Sequence, residues 1–210
     1  ISIPTMKKPL FKSKSITTFE AIDIQQGRLS QAQWLASPNF NQRPDNTDIS
    51  AIVIHNISLP PDEFEKTDAN GLHYVKAFFT NTLDWEAHPY FKTIEGMQVS
   101  THLFIERSGD ITQLVNFEDR AWHAGRSSYL GKPECNDYSI GIELEGSDHQ
   151  DFTEAQYLAL ASAIAAIYDA YPQTRRHLTG HTVTPPGQKP HPAEHFKGET
   201  PRAFLVNLLS

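Results

Sequence analysis

The stretch Thr-His-Leu-Phe-Ile-Glu-Arg-Ser-Gly-Asp-Ile-Thr-Gln-Leu-Val, residues 101–115, decides the fold. Residues 101–106 and 111–115 are strand-like runs, and Arg107-Ser108-Gly109-Asp110 between them has turn chemistry, so a β-hairpin is predicted. Working outward, residues 139–144 (Ser-Ile-Gly-Ile-Glu-Leu) form a second strand with Ile140, Ile142 and Leu144 on one face and Gly141 and Glu143 on the other. Ala51-Ile52-Val53-Ile54 is a short buried strand ending at His55-Asn56. Thr153 and Gln156 have the spacing of a capping box. They open a helix to about Tyr171, with an apolar stripe of Leu158, Ala161, Ile164, Ala165 and Tyr168. Shorter helices are expected over 71–79, packing Leu72, Val75, Phe78 and Phe79, and from Ser30 through Leu35. A final helix is expected from Thr200-Pro201, with Phe204, Leu205 and Leu208 inward. Strands and helices alternate around an internal hairpin. The expectation is one α/β (α+β) domain, residues 27–210, with a mixed central sheet flanked by helices. Residues 1–26 are expected to be a loosely attached arm.

The chain has 210 residues, 39% of them hydrophobic and 10% aromatic, enough for a real core. Acidic residues outnumber basic ones 25 to 18, for a net charge of −7. That balance gives no support to a nucleic-acid or membrane-surface role. With Cys135 as the one cysteine, no intrachain disulfide can form. Met6 reads as the natural start with residues 1–5 a non-native remnant ahead of it, and no apolar signal core follows Met6-Lys7-Lys8. A cytoplasmic location is expected, or a periplasmic one if a signal precedes Ile1.

Ten histidines invite a metal hypothesis. The loop Gly180-His181-Thr182-Val183-Thr184-Pro185-Pro186-Gly187-Gln188-Lys189-Pro190-His191-Pro192 brackets a lysine with two of them. Lys189 and His191 each precede a proline, which favours extended backbone and places both side chains on one face. A third imidazole, His55, stands at the mouth of a buried strand. Three histidines can hold zinc and leave one position open. Glu143 is the candidate general base and Lys189 the candidate oxyanion partner. These are the parts of a metal-assisted amide hydrolase. Without a His-Glu-x-x-His motif, a solvated proline-rich loop and an ordinary exposed Glu143 remain the competing readings.

Longer segments carry a family resemblance. Val53-Ile54-His55-Asn56-Ile57-Ser58-Leu59-Pro60-Pro61, Ala121-Trp122-His123-Ala124-Gly125, residues 135–146 (Cys-Asn-Asp-Tyr-Ser-Ile-Gly-Ile-Glu-Leu-Glu-Gly) and Thr179-Gly180-His181 resemble the AmpD-type N-acetylmuramoyl-L-alanine amidases. His88-Pro89-Tyr90-Phe91 and Val99-Ser100 fit the same pattern. The resemblance spans residues 28–208. It implies a zinc enzyme, one Zn2+ per chain, that cuts the amide between (1,6-anhydro-)N-acetylmuramic acid and L-alanine of recovered muropeptides. That places it in cytoplasmic cell-wall recycling, with consequences for inducible β-lactamase. It also implies His55, His181 and His191 as ligands, Glu143 as acid/base, Lys189 at the carbonyl oxygen, and Asn56, Tyr90 and Trp122 at the sugar. A muropeptide is the expected partner of a monomer. The alternatives are a periplasmic amidase acting on intact peptidoglycan and a muropeptide-binding module without activity.

This chain departs from the pattern at the third ligand: His191 stands where close relatives carry aspartate, making the site more positive by one charge. It also has Gln98, Glu134 and Gln188 where arginines are expected, with Lys132 or Arg126 as compensating cations. His102 and His123 are expected in buried hydrogen bonds or against substrate. His73, His149, His177 and His195 are expected on the surface, and Cys135 as a packed thiol. Glu145 shares the face of Glu143, but neighbours on one strand cannot flank a bond from opposite sides as a glycosidase pair must.

Overall fold

The computed structural model describes residues 22–148 and 150–180. Its core is a six-stranded sheet of β1 (Gln33–Trp34), β2 (Ala51–Ile57), β3 (Leu103–Ile105), β4 (Ile111–Gln113), β5 (Ser139–Glu145) and β6 (Leu178–Gly180), in the order β6-β2-β5-β3-β4-β1. β6, β2, β5 and β3 are mutually parallel, and β3 and β4 form the predicted antiparallel hairpin. The sheet is therefore mixed, as the internal hairpin implied.

Alternation along the strands decides what each face meets. Ile52, Ile54, Leu103, Ile105, Ile140, Ile142 and Leu144 point to one side and bury against helix Glu154–Ala170, through Leu160, Ala161, Ile164 and Ile167. On the other side Phe104 and Leu114 pack with Val75, Phe78 and Phe79 of helix Tyr74–Phe79 and with Phe91 of the 3-10 turn Pro89–Ile94. Ala51 and Val53 pack on Cys135 and Tyr138 of the short helix Cys135–Tyr138. Covered on both faces, β5 is buried along its whole length, so Glu143 is not on an exposed strand face.

Several local expectations are corrected. Residues 30–35 are not a helix. Ser30 closes the hairpin Ile24–Gln25/Arg28–Leu29, its Oγ accepting from the Asp23 N–H at 3.1 Å, and Leu35 N–H donates to Gln113 O, extending the sheet. Gly27 turns this hairpin at φ +73°, and a Cβ there would meet Asn116 Oδ1 at 1.9 Å. Ile22 and Ile24 pack on the core, so the folded region reaches back past residue 27. The long helix does begin with its capping box, both bonds present, but its buried face is rotated from the predicted stripe. Leu158 is 48% exposed. Gln156 is buried instead, its Nε2 donating to Ile105 O and Glu145 O, and that tether turns Leu160, Ile164 and Ile167 onto the sheet. His73 is buried rather than on the surface. The helix expected from Thr200, with Phe204, Leu205 and Leu208, lies outside the described residues, as do His149 and His195.

Candidate active site

Parallel pairing brings the site together toward the carboxyl ends of β2 and β5, where the sheet holds side chains rigidly. His55 and Glu143 are register partners, and Gly180 pairs with Ile54, one residue before His55. His181, Lys189 and His191 follow Gly180 in the chain and lie outside the described residues. Of the expected ligands and catalytic groups, the described structure therefore brings His55 and Glu143 together. Among the described residues no group of three metal-binding side chains converges.

Glu143 sits in an apolar setting. Its Oε2 is buried and has no hydrogen-bond partner among the described residues. Burial pushes the carboxyl from 4.5 up to about 8. Glu145, two residues on and on the same face, has the opposite environment. Its Oε1 accepts from Glu65 N–H and from His73 Nε2 at 2.9 Å, and its Oε2 accepts from Arg107 N–H at 3.0 Å. Burial alone would raise this carboxyl, but those bonds offset it and leave the pKa below its ordinary value. One carboxyl is kept ready to exchange a proton and the other is held as a structural anion. His73 also caps helix Tyr74–Phe79, its Nδ1 accepting from Val75 N–H.

The histidines expected in buried hydrogen bonds are in them. His102 Nδ1 accepts from Gly141 N–H at 3.0 Å, and its Nε2 lies 3.0 Å from Asp119 O. Burial, then the adjacent Arg43, pushes His102 down to about 3, so it is neutral. His123 Nδ1 lies 3.0 Å from His55 Nε2, and its Nε2 lies 3.0 Å from Ser139 Oγ. Burial, then His55, His102 and Arg43, keeps His123 well below the usual imidazole range, also neutral. Gly141 makes room for that ring, since a Cβ there would sit 2.4 Å from His123 Cγ. Cys135 is the packed thiol expected, 3.4 Å from Tyr138 Oη.

A groove of about 350 Å³ opens beside these residues, lined by Asn56 and Tyr90 with Phe78, Ile94, Met97 and Asp148. Asn56 Nδ2 donates to Asp148 Oδ1 at 2.9 Å, which orients the amide. An apolar wall with a few fixed amides suits a sugar ring. Trp122 does not line this groove; its indole N–H donates to Asn41 Oδ1. Gln98 is exposed, and Glu134 pairs with Arg120 at 3.6 Å. Lys132 Nζ lies 4.0 Å over the Tyr138 ring.

Two supporting residues carried no sequence signal. Arg43, in a loop read only as polar, is half-buried and donates to the carbonyls of Phe117, Asn136, Asp137 and Ser139; burial lowers its pKa to about 10. Ser139 looked like an ordinary strand start. Its contact with His123 follows from the fold alone.

An imidazole at a strand end, held through one nitrogen by a neighbour, beside a buried carboxyl whose Oε2 has no partner among the described residues, is a donor set that fits a divalent cation with an adjacent proton carrier. The model of the N-acetylmuramoyl-L-alanine amidase family matches residues 45–194. The 1,6-anhydro-N-acetylmuramyl-L-alanine amidase AmpD of Haemophilus influenzae is 48% identical over 178 residues, 84% of this chain and 94% of that protein. The Escherichia coli protein of the same name is 45% identical over 173 residues, 82% of this chain and 91% of that one. Among solved structures, a crystal structure of a selenomethionine AmpD derivative matches with a TM-score of 0.77 at 42% identity, covering 89% of this chain and 99% of that one.

Proposed function

The chain belongs to the N-acetylmuramoyl-L-alanine amidase family, and on that premise we propose that it hydrolyses the amide between 1,6-anhydro-N-acetylmuramic acid and L-alanine in muropeptides recovered during cell-wall recycling. The observation that carries the reading is Glu143: a buried carboxyl whose Oε2 has no hydrogen-bond partner among the described residues, in register with His55 on the same face of the sheet. A binding module has no use for such a group.

His55, His181 and His191 would hold one Zn2+. Bound there, zinc supplies positive charge that polarises the amide carbonyl and acidifies a water molecule. The protein's own groups do the rest. Glu143 takes a proton from the attacking water as its oxygen bonds to the carbonyl carbon. The same carboxyl then delivers that proton to the alanine nitrogen as the C–N bond breaks. Lys189 donates to the carbonyl oxygen as it gains negative charge. Asn56 and Tyr90 border the groove for the sugar, and Trp122 supplies a flat indole face to the pyranose ring. The enzyme acts as a monomer in the cytoplasm. Among the described residues no helix is long and apolar enough to cross a membrane.

The test is cleavage of purified 1,6-anhydro-N-acetylmuramyl-tripeptide, read by mass spectrometry. Zinc-loaded wild type releases the tripeptide, while chelator-stripped protein and Glu143→Gln do not. A Glu143→Gln protein that retains wild-type turnover would remove Glu143 from the mechanism. A zinc-loaded wild type that leaves this compound intact but cuts polymeric peptidoglycan would move the substrate to the cell wall itself.

A further inference from the structure

We propose that Glu145 is a positioning residue for the substrate: its buried carboxylate clamps the loop of residues 58–64, one wall of the groove, and so sets the affinity for the sugar. The inference rests on the reading of that groove as the sugar site. It follows from where the two ends of the loop are attached. At one end Ile57, the last residue of β2, is the register partner of Glu145, and the residue after Glu145, Gly146, donates its N–H to Ile57 O at 3.0 Å. At the other end Glu65 N–H donates to Glu145 Oε1. The chain leaves the sheet and returns to it at one residue, as an Ω-loop does. Between those points Ser58, Leu59, Pro61 and Asp62 line the groove together with Asn56 and Tyr90.

The loop needs such a hold. Asp62 and Glu65 have φ of +62° and +57°, a left-handed conformation that non-glycine residues keep only where surrounding contacts impose it. Asp62 N–H is held within the loop, by Ser58 Oγ at 2.8 Å, whereas Glu65 N–H is held from outside, by Glu145. From Lys66 onward the chain belongs to the body of the domain, the Lys66 carbonyl accepting from Tyr74 N–H at 2.9 Å. The acceptor is itself fixed. Its Oε2 accepts from Arg107 N–H at 3.0 Å and its Oε1 also from His73 Nε2 at 2.9 Å. His73 Nδ1 accepts from Val75 N–H at 3.1 Å, so the imidazole proton is on Nε2 and is donated to the carboxylate. Glu145 O accepts from Gln156 Nε2 at 2.8 Å. Arg107 adds a second hold on the loop, its guanidinium lying 4.7 Å over the ring of Phe64, the residue before Glu65. A wall ordered before the sugar arrives does not have to be ordered by it, which is how the clamp raises affinity.

The experiment pairs steady-state hydrolysis of 1,6-anhydro-N-acetylmuramyl-tripeptide with amide hydrogen exchange, both on zinc-loaded full-length protein. In wild type the Glu65 amide exchanges slowly although its side chain is exposed. In Glu145→Gln one acceptor oxygen becomes an amide nitrogen, which cannot accept from a backbone N–H. Exchange across residues 58–65 then speeds about tenfold, KM rises about tenfold and kcat stays within about twofold, the pattern of lost binding rather than lost chemistry. Phe64→Ala, a change in the loop that leaves the buried network alone, moves KM the same way by less. A merely structural role lowers kcat with the fraction of active protein and leaves KM where it was, and that pattern in both variants overturns the proposal. So does a wild-type Glu65 amide that exchanges as freely as an exposed loop amide, a measurement that needs neither variant nor turnover. Wild type that leaves the tripeptide compound uncut overturns the reading of the groove and the clamp's role in it together, whereas cleavage with KM unmoved in both variants overturns the clamp's role alone.

Discussion

Glu143 and Glu145 share a strand, a face and a chemistry, yet their surroundings separate them. The raised pKa of Glu143 has a consequence for stability. Between 4.5 and about 8 the unfolded chain gives up a proton that the folded chain keeps, so this residue's contribution falls as pH rises through that window. Glu143→Gln has no such loss. It is expected to abolish hydrolysis and yet stabilise the metal-free protein, by on the order of 2 kcal/mol more near neutrality than near pH 5, in denaturant melts at the two pH values. Glu145 has the opposite sign. Its lowered pKa gives stability that is present above the ordinary carboxylate range and lost as pH falls through the folded value. Glu145→Ala leaves the His73, Glu65 and Arg107 donors without their acceptor and should cost about 3 kcal/mol at neutral pH, measured the same way. At His191 the expected outcome concerns rate. His191→Ala should lose most zinc affinity, while His191→Asp should retain it and move the acidic limb of the pH–rate profile upward, because the site becomes less positive by one charge.

At the scale of elements, what could be read from the sequence was what local chemistry decides. The capping box at Thr153 and Gln156 appears with both bonds, and Thr153 Oγ1 also donates to Arg107 O at 2.7 Å. Thr153→Ala should therefore cost about 1–2 kcal/mol in thermal unfolding, toward the upper end for a cap. The hairpin, the strand through Glu143 and the buried run before His55 were legible because their periodicity is local. What was not legible depends on distant partners. Trp34 is in a strand only because β4 lies alongside it, and Ser30 serves a hairpin that no helix rule anticipates. Leu158 looked inward until Gln156, reaching the Ile105 and Glu145 carbonyls, set the helix rotation. His73 read as surface because its partner Glu145 is 72 residues away. In the site, His55 and Glu143 stood out by strand position, whereas Ser139 and Arg43 act through contacts that only the tertiary structure creates.

At the scale of the whole molecule, the parallel pairing of β2 with β5 joins Ala51 to Ser139 and His55 to Glu143, a constant offset of 88 residues, since 139 − 51 and 143 − 55 are both 88. A ligand that binds only the assembled site must then stabilise the entire domain. Saturating zinc should raise the melting temperature, with chelation reversing the shift. The same offset bears on synthesis. As the chain leaves the ribosome, Ala51-Ile52-Val53-Ile54 emerges with neither of its neighbouring strands yet made. For the time needed to translate 88 more codons this apolar run has no pairing partner, and Glu143 arrives on the first strand that pairs with it. Nascent chains stalled before Ser139 should accordingly be bound by chaperones that recognise extended apolar segments, and chains released past Glu145 should shed them.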